Sequence, residues 1–274
     1  MKHFSPAPPS AYETLMIRHD GALDWVTLNR PAALNALSIE MQLELQDYFD
    51  RLYRTPQTRV VILRGAGRAF CAGLDIKEID LSKDIANPVD GLRVQQRVAD
   101  IIKLMRRCPQ PIISLVNGAA SGGGMALALA SDVRIASPTA RFNAAFIRLG
   151  VTSCDVGTSY FLPRLVGASV ASELMLTGRF IDAVRAERVG LVSAVVPEGE
   201  LDAAGLAMAE DMLRAAPLAL RLTKDGINQN LNAPSLEAAM ALEDRQQILC
   251  GHTEDVKEAF HAFVEKRNPH YQDR

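Results

Sequence analysis

The chain has 274 residues, 48% of them hydrophobic, and its 30 Lys plus Arg against 32 Asp plus Glu leave a formal net charge of −2. A balance this even excludes a global basic field for nucleic acid or an anionic membrane, so any anionic ligand must be held locally. Polar residues interrupt every apolar run before the roughly 18 residues a membrane-spanning helix needs, and the length allows a large buried core with an appendage.

Met1 to Tyr12 carries three prolines and no apolar stretch of signal-peptide length, which reads as a flexible arm on a cytoplasmic protein. Strand-forming runs follow at Thr14 to Arg18, Trp25 to Leu28, Val60 to Leu63, Ile112 to Val116 and Val133 to Ile135. Between them, Ser38 reads as the N-cap of a helix over Ile39 to Tyr53, and a second helix runs from about Leu92 to Arg107. This alternation predicts a mixed α/β fold with crossover connections. The stretches Val60 to Asp75 and Pro111 to Asp132 share a plan of strand, glycine-rich turn and helix, a weak internal repeat. After Pro197 only helices are expected, at Leu201 to Ala215, Ala219 to Asn228, Ser235 to Leu249 and Asp255 to Lys266.

Two glycine-bearing turns carry the chemistry. Gly122-Gly123-Gly124 joins the apolar run Ile112 to Val116 to an apolar helix, and Gly65 to Lys77 follows the run Val60 to Leu63. Glycines at a helix start expose unpaired N–H groups at the positive end of the helix dipole, which suits an oxygen gaining negative charge. The same glycines could serve only to let strand and helix pack closely. Two convergent donors hold and aim an oxyanion better than one, and Gly123 with the residue after Gly73 is the natural pair.

Leu28-Asn29-Arg30-Pro31 with Asn35-Ala36-Leu37, then Ala69-Phe70-Cys71-Ala72-Gly73-Leu74-Asp75, then Asn117-Gly118 through Gly122-Gly123-Gly124, resembles the crotonase (enoyl-CoA hydratase/isomerase) superfamily. Thr177-Gly178-Arg179, Gly190-Leu191-Val192 and Val195-Val196-Pro197 match the end of that family's core, so the resemblance spans nearly the whole chain. It implies a spiral of ββα units over residues 13–197, a helical trimerisation region over 198–274, and a homotrimer or dimer of trimers. It also implies an acyl-CoA thioester as substrate, with coenzyme A arriving as part of it and no separate cofactor. The thioester oxygen would lie between the N–H groups of Leu74 and Gly123. Ala72, Gly73, Asp75, Ile76 and Lys77 fall where the family wraps adenine and pantetheine; Arg30, Ala33 and Leu34 fall where it borders the nucleotide; Gly122 belongs to the oxyanion turn. Arg30 is either a phosphate contact or a solvated turn charge.

The sequence departs from the family where a hydratase carries its two glutamates, at Ala126 and at Phe146, neither of which can move a proton. Asp155, in Ser153-Cys154-Asp155-Val156-Gly157-Thr158, resembles instead the aspartate loop of dienoyl-CoA isomerases. One base is enough to take a proton from one carbon of an enolate-stabilised substrate and return it to another. Asp155 could alternatively be the N-cap of the helical run Thr158 to Leu165. Cys154 reads as a buried core thiol rather than a nucleophile, Arg148 as half of a surface or interface salt bridge, and Asp132 as a structural closure of the glycine-initiated helix. The four cysteines, Cys71, Cys108, Cys154 and Cys250, show no zinc-ligand spacing and read as reduced. Isomerisation is thus favoured over hydration, with a non-catalytic acyl-CoA binding protein, or a hydrolase or carbon–carbon bond enzyme using Asp155, as the alternatives.

Overall fold

A computed structural model describes residues 12–80, 82 and 86–274. The arm expected over residues 1–12 lies outside the described residues except for Tyr12, whose hydroxyl donates to Asp47 at 2.8 Å.

Strands β1 (Leu15–Asp20) and β2 (Leu23–Leu28) form an antiparallel hairpin, and β2 then pairs in parallel with β3 (Val60–Gly65). The sheet continues in parallel through β5 (Ile112–Val116), β7 (Val133–Ala136) and β10 (Ala194–Val195), in the order β1-β2-β3-β5-β7-β10. A second, smaller sheet holds β4 (Ala69–Cys71), β6 (Ala119–Ser121), β8 (Arg141–Asn143) and β9 (Ile181–Asp182) in that order. The consecutive pairs β3/β4, β5/β6 and β7/β8 each give one strand to each sheet, so the chain winds as a spiral. Two adjacent turns of it set Val61 opposite Ile112 and Ala69 opposite Ala119, but Val60 to Asp75 holds two strands and no helix, so the expected plan of strand, glycine-rich turn and helix is met only in the second stretch.

The β3 side chains alternate between two cores, as the period of a strand requires. Val61 and Leu63 join Leu45 and Phe49 of α1 (Ile39–Leu52), Ile101 and Met105 of α2 (Pro88–Arg107), and Leu127 of α3 (Gly123–Ala130). Val60 and Ile62 face the other way, with Trp25, Leu115, and Leu201 and Ala209 of α6 (Leu201–Leu213). The sheet is therefore covered on both faces, which is why its inner strands read as continuous apolar runs rather than alternating ones. Helix α4 (Thr158–Thr177) extends well beyond the expected run to Leu165 and is broken at Gly167, whose backbone is not helical. The short α5 (Ala183–Arg188) leads into β10.

Three further helices close the chain: α7 (Pro217–Asn230), α8 (Leu236–Gly251) and α9 (Glu254–Glu265). Helix α7 is tied to the core by Lys224, only 5% exposed, whose Nζ donates to the carbonyls of Gln110 at 2.7 Å and Met105 at 3.2 Å and pairs with Asp132 at 3.0 Å. Asp132 also takes a bond from Arg106 at 2.9 Å and from the Ile112 N–H at 2.8 Å. It joins strand, helix and C-terminal unit rather than closing α3, whose C-cap is Ser131. Among the described residues, no helix is long and apolar enough to cross a membrane.

Candidate active site

Three segments meet at the glycine turn that opens α3. Asn35, fully buried and left-handed at φ 55°, donates from Nδ2 to the carbonyls of Ala66 and Ala69, both at 2.8 Å, and accepts from the Arg30 N–H at 2.9 Å. Asparagine tolerates that backbone region and supplies both donor and acceptor, so it pins the 30–36 loop to the turn before β4. From there the chain exchanges backbone bonds with the next segment: Ala72 N–H to Leu34 O at 3.0 Å, Leu37 N–H to Gly73 O at 2.8 Å, and Asp75 N–H to Leu37 O at 3.2 Å.

This pairing leaves the Leu74 N–H pointing away from Leu37. Across the gap, Gly123 opens α3, where a helix has no partner for its first N–H groups. Among the described residues, neither the Leu74 N–H nor the Gly123 N–H has a hydrogen-bond acceptor. They are close neighbours: a Cβ on Gly123 would stand 3.8 Å from the Leu74 nitrogen, and a Cβ on Gly73 would stand 3.4 Å from the Gly123 nitrogen. The approach requires glycine at two points. Gly73 sits at φ 97° with the Ser121 carbonyl 2.7 Å from where a Cβ would be, and a Cβ on Gly124 would meet the Cys71 carbonyl oxygen at 2.1 Å.

The Phe146 ring borders the same turn, with Cε1 3.5 Å from the Cβ position of Gly122. Ala126, one helical turn into α3, is fully buried, and its N–H closes onto Gly122 O at 3.0 Å. Ala33 and Leu34 are half-buried, whereas Ile76 and Lys77 are exposed on the outer side of the loop. Arg30 is not a solvated charge. Its Nη1 donates to the Ala36 carbonyl at 2.6 Å and to Asp75 at 2.9 Å, and Nη2 lies 3.6 Å from Glu78, so it clamps the two loops together.

Asp155 is half-buried, just ahead of α4. Its Oδ1 accepts from the Val156 N–H at 2.8 Å and from the side-chain amide of Gln95 on α2, while Oδ2 has no partner among the described residues. The side chain does not cap α4; the cap position is Gly157, and only the Asp155 backbone carbonyl meets the helix, accepting from the Thr158 N–H at 2.7 Å. Burial pushes the Asp155 carboxyl above the usual range, against the lowering effect of the bonds from Gln95 and Val156. Val156 itself stands at φ 37°, a strained setting for a β-branched residue, followed by Gly157 at φ 82°.

Cys154 is exposed rather than buried. Arg148 is exposed, forms no salt bridge among the described residues of the chain, and donates to the Thr177 carbonyl at 3.4 Å. Glu173 is held by Arg185 at 2.7 Å and 2.9 Å, which lowers its pKa. Gln95, which sequence reasoning passed over, lies 60 residues from its partner on an amphipathic helix, where a glutamine carries no distinguishing pattern.

The profile of the family described as Enoyl-CoA hydratase/isomerase matches residues 18–274. The chain is 40% identical over 252 residues to "Probable enoyl-CoA hydratase echA12" of Mycobacterium bovis, covering 90% of this chain and 88% of that protein. It is 36% identical over 254 residues to the short-chain-enoyl-CoA hydratase of Clostridium acetobutylicum, covering 92% and 95%. The solved structure of an enoyl-CoA hydratase from Bacillus anthracis superposes with a TM-score of 0.90 at 33% identity, covering 96% of this chain and 100% of that one. With the spiral of two sheets, these matches show that the chain belongs to the enoyl-CoA hydratase/isomerase family, within the crotonase superfamily, and is an enzyme of that family.

Proposed function

We propose that the protein moves a proton within an unsaturated acyl-CoA thioester, isomerising it rather than adding water. The observation that carries this reading is Asp155: half-buried, held through Oδ1 beside a strained backbone, and with Oδ2 without a partner among the described residues. In this account the thioester oxygen lies between the Leu74 and Gly123 N–H groups, which stabilise the enolate as the carbonyl gains charge. Asp155 Oδ2 takes a proton from the carbon chain, and the resulting carboxylic acid returns it to another carbon. Two acceptor-free donors in adjacent loops and one acid fit that sequence of steps. A water-activating second carboxylate is not needed, in keeping with Ala126 and Phe146 at the positions where the resemblance places glutamates.

Gly73, Asp75, Ile76 and Lys77, with Ala72, Ala33 and Leu34, would border the coenzyme A moiety, and Arg30 would act by holding Asp75 and Glu78 in place rather than by touching phosphate. Coenzyme A enters as part of the substrate. Purified protein is expected to hydrate crotonyl-CoA far more slowly than the Clostridium short-chain-enoyl-CoA hydratase, assayed side by side; equal rates would overturn the preference for isomerisation.

The helices over 198–274 are the assembly region in this account. Phe260, Phe263 and Val264 are 69%, 83% and 78% exposed at a spacing of three and one along α9, an apolar stripe that a homotrimer, or a dimer of trimers, would cover. Sedimentation equilibrium is expected to give a multiple of three chains, and a monomer at micromolar concentration would refute it.

A further inference from the structure

We propose that Gln95 is a positioning residue for the proton transfer: its amide fixes the Asp155 carboxylate against α2 and thereby assigns the proton-accepting role to Oδ2. The inference rests on the reading of Asp155 given above. Oδ1 is filled from two directions, by the Gln95 side-chain amide and by the Val156 N–H at 2.8 Å, so a proton placed there would have to displace one of the two donors. Oδ2, free of partners among the described residues, keeps both lone pairs for a substrate proton. Gln95 sits in the interior of α2, whose C-terminal half is locked into the core by Val98, Ile101, Ile102 and Met105. The donor is therefore carried by a rigid element, whereas Asp155 lies on a loop that needs an external tether.

A glutamine also suits the chemistry better than a cation would. An arginine or lysine at that point would pair with the carboxylate and depress its basicity, whereas a neutral amide orients it and only partly offsets the effect of burial. Charged side chains on the surrounding elements are engaged elsewhere: Asp90 with Arg93, Asp100 with Lys103, Arg106 with Asp132, Arg164 with the Tyr160 carbonyl and Asn232, Glu173 with Arg185, and Arg148 with the Thr177 carbonyl. The Asp155 acidity responds to burial, which raises its pKa, and to the bonds from Gln95 and Val156, which lower it. Removing the Gln95 amide therefore removes one of the two influences that favour the ionised form.

The test follows the Asp155 side-chain carbon by NMR in protein labelled at aspartate, with the resonance assigned by its loss in Asp155→Asn, in wild type, Gln95→Leu and Gln95→Glu. Gln95 is exposed on a helix, so these substitutions leave the core untouched. The midpoint of Asp155 is expected to move to higher pH in Gln95→Leu and higher again in Gln95→Glu, where a second carboxylate faces it. The acid limb of deuterium exchange into acyl-CoA should move in the same order, making Gln95→Leu about tenfold slower on that limb, the size expected for losing one hydrogen bond to a charged group. An Asp155 midpoint unchanged in both variants overturns the role of Gln95 while leaving the Asp155 reading intact. A midpoint that moves without any movement of the exchange limb, together with full activity in Asp155→Asn, overturns the Asp155 reading and with it the positioning role.

Discussion

Replacing Asp155 with asparagine is expected to slow proton exchange into a bound acyl-CoA by about 10² to 10⁴-fold, the usual contribution of a positioned general base, with little change in thermal stability. Asparagine keeps the shape and an Oδ1 that can accept from the Val156 N–H and the Gln95 amide, so both bonds that hold the loop survive the substitution. What is lost is a group able to take a proton. The pH dependence carries a second signature. Burial raises the Asp155 pKa, and the carboxylate is the active form, so wild-type exchange should be full above that pKa and fall as the pH drops through it, at a higher pH than an ordinary carboxylate would give. The residual activity of Asp155→Asn should lack this limb. Measuring both proteins across pH, at matched melting temperatures, checks the two expectations together. Full activity in the variant would leave Asp155 without the catalytic role proposed for it.

The second large effect is expected from Gly123→Pro. Gly123 is the first residue of α3, where proline is tolerated because the N–H has no partner within the helix, so the substitution removes a donor without breaking a helical hydrogen bond. Its Cβ would stand 3.0 Å from Leu37 Cδ1, the end of a side chain that can move by the few tenths of an ångström needed. Loss of one oxyanion donor costs about 2.7 to 4 kcal/mol of transition-state stabilisation, a rate loss of about 10² to 10³. The check is deuterium exchange alongside a thermal melt: a folded protein with near-normal exchange would show that the Gly123 N–H does not meet the thioester oxygen.

Five of the six strands of the large sheet were legible because they are apolar, five or six residues long in the case of β2, β3 and β5, and bounded by turn residues, whereas the two-residue β10 carries no such pattern. The α1 cap was legible for a local reason, with Ser38 accepting from the Met41 N–H at 3.1 Å. The second sheet was not. β4, β6 and β8 have three residues each and are built partly from Ala, Ser, Arg and Asn, so neither length nor β-propensity marks them. Their pairing is specified by the spiral itself, a long-range property. The same limit applies at the site. Motif resemblance placed the two glycine turns and the aspartate loop, yet it did not show that Arg30 is spent on Ala36, Asp75 and Glu78, because those partners are set by how two loops fold together. Lys224 was hidden similarly: one lysine in an amphipathic helix looks solvated until the carbonyls of Met105 and Gln110 are placed around it.

The central claim is that one carboxylate and two backbone donors form and reprotonate a thioester enolate. Its most direct measurement is incubation of wild-type protein with matched 2-enoyl-CoA and 3-enoyl-CoA thioesters in D₂O, followed by NMR and mass analysis of each carbon position. The account predicts interconversion of the two double-bond isomers, with deuterium entering the carbon chain and little 3-hydroxyacyl-CoA formed. Rapid accumulation of 3-hydroxyacyl-CoA from the 2-enoyl substrate, without conversion of the 3-enoyl substrate, would contradict it.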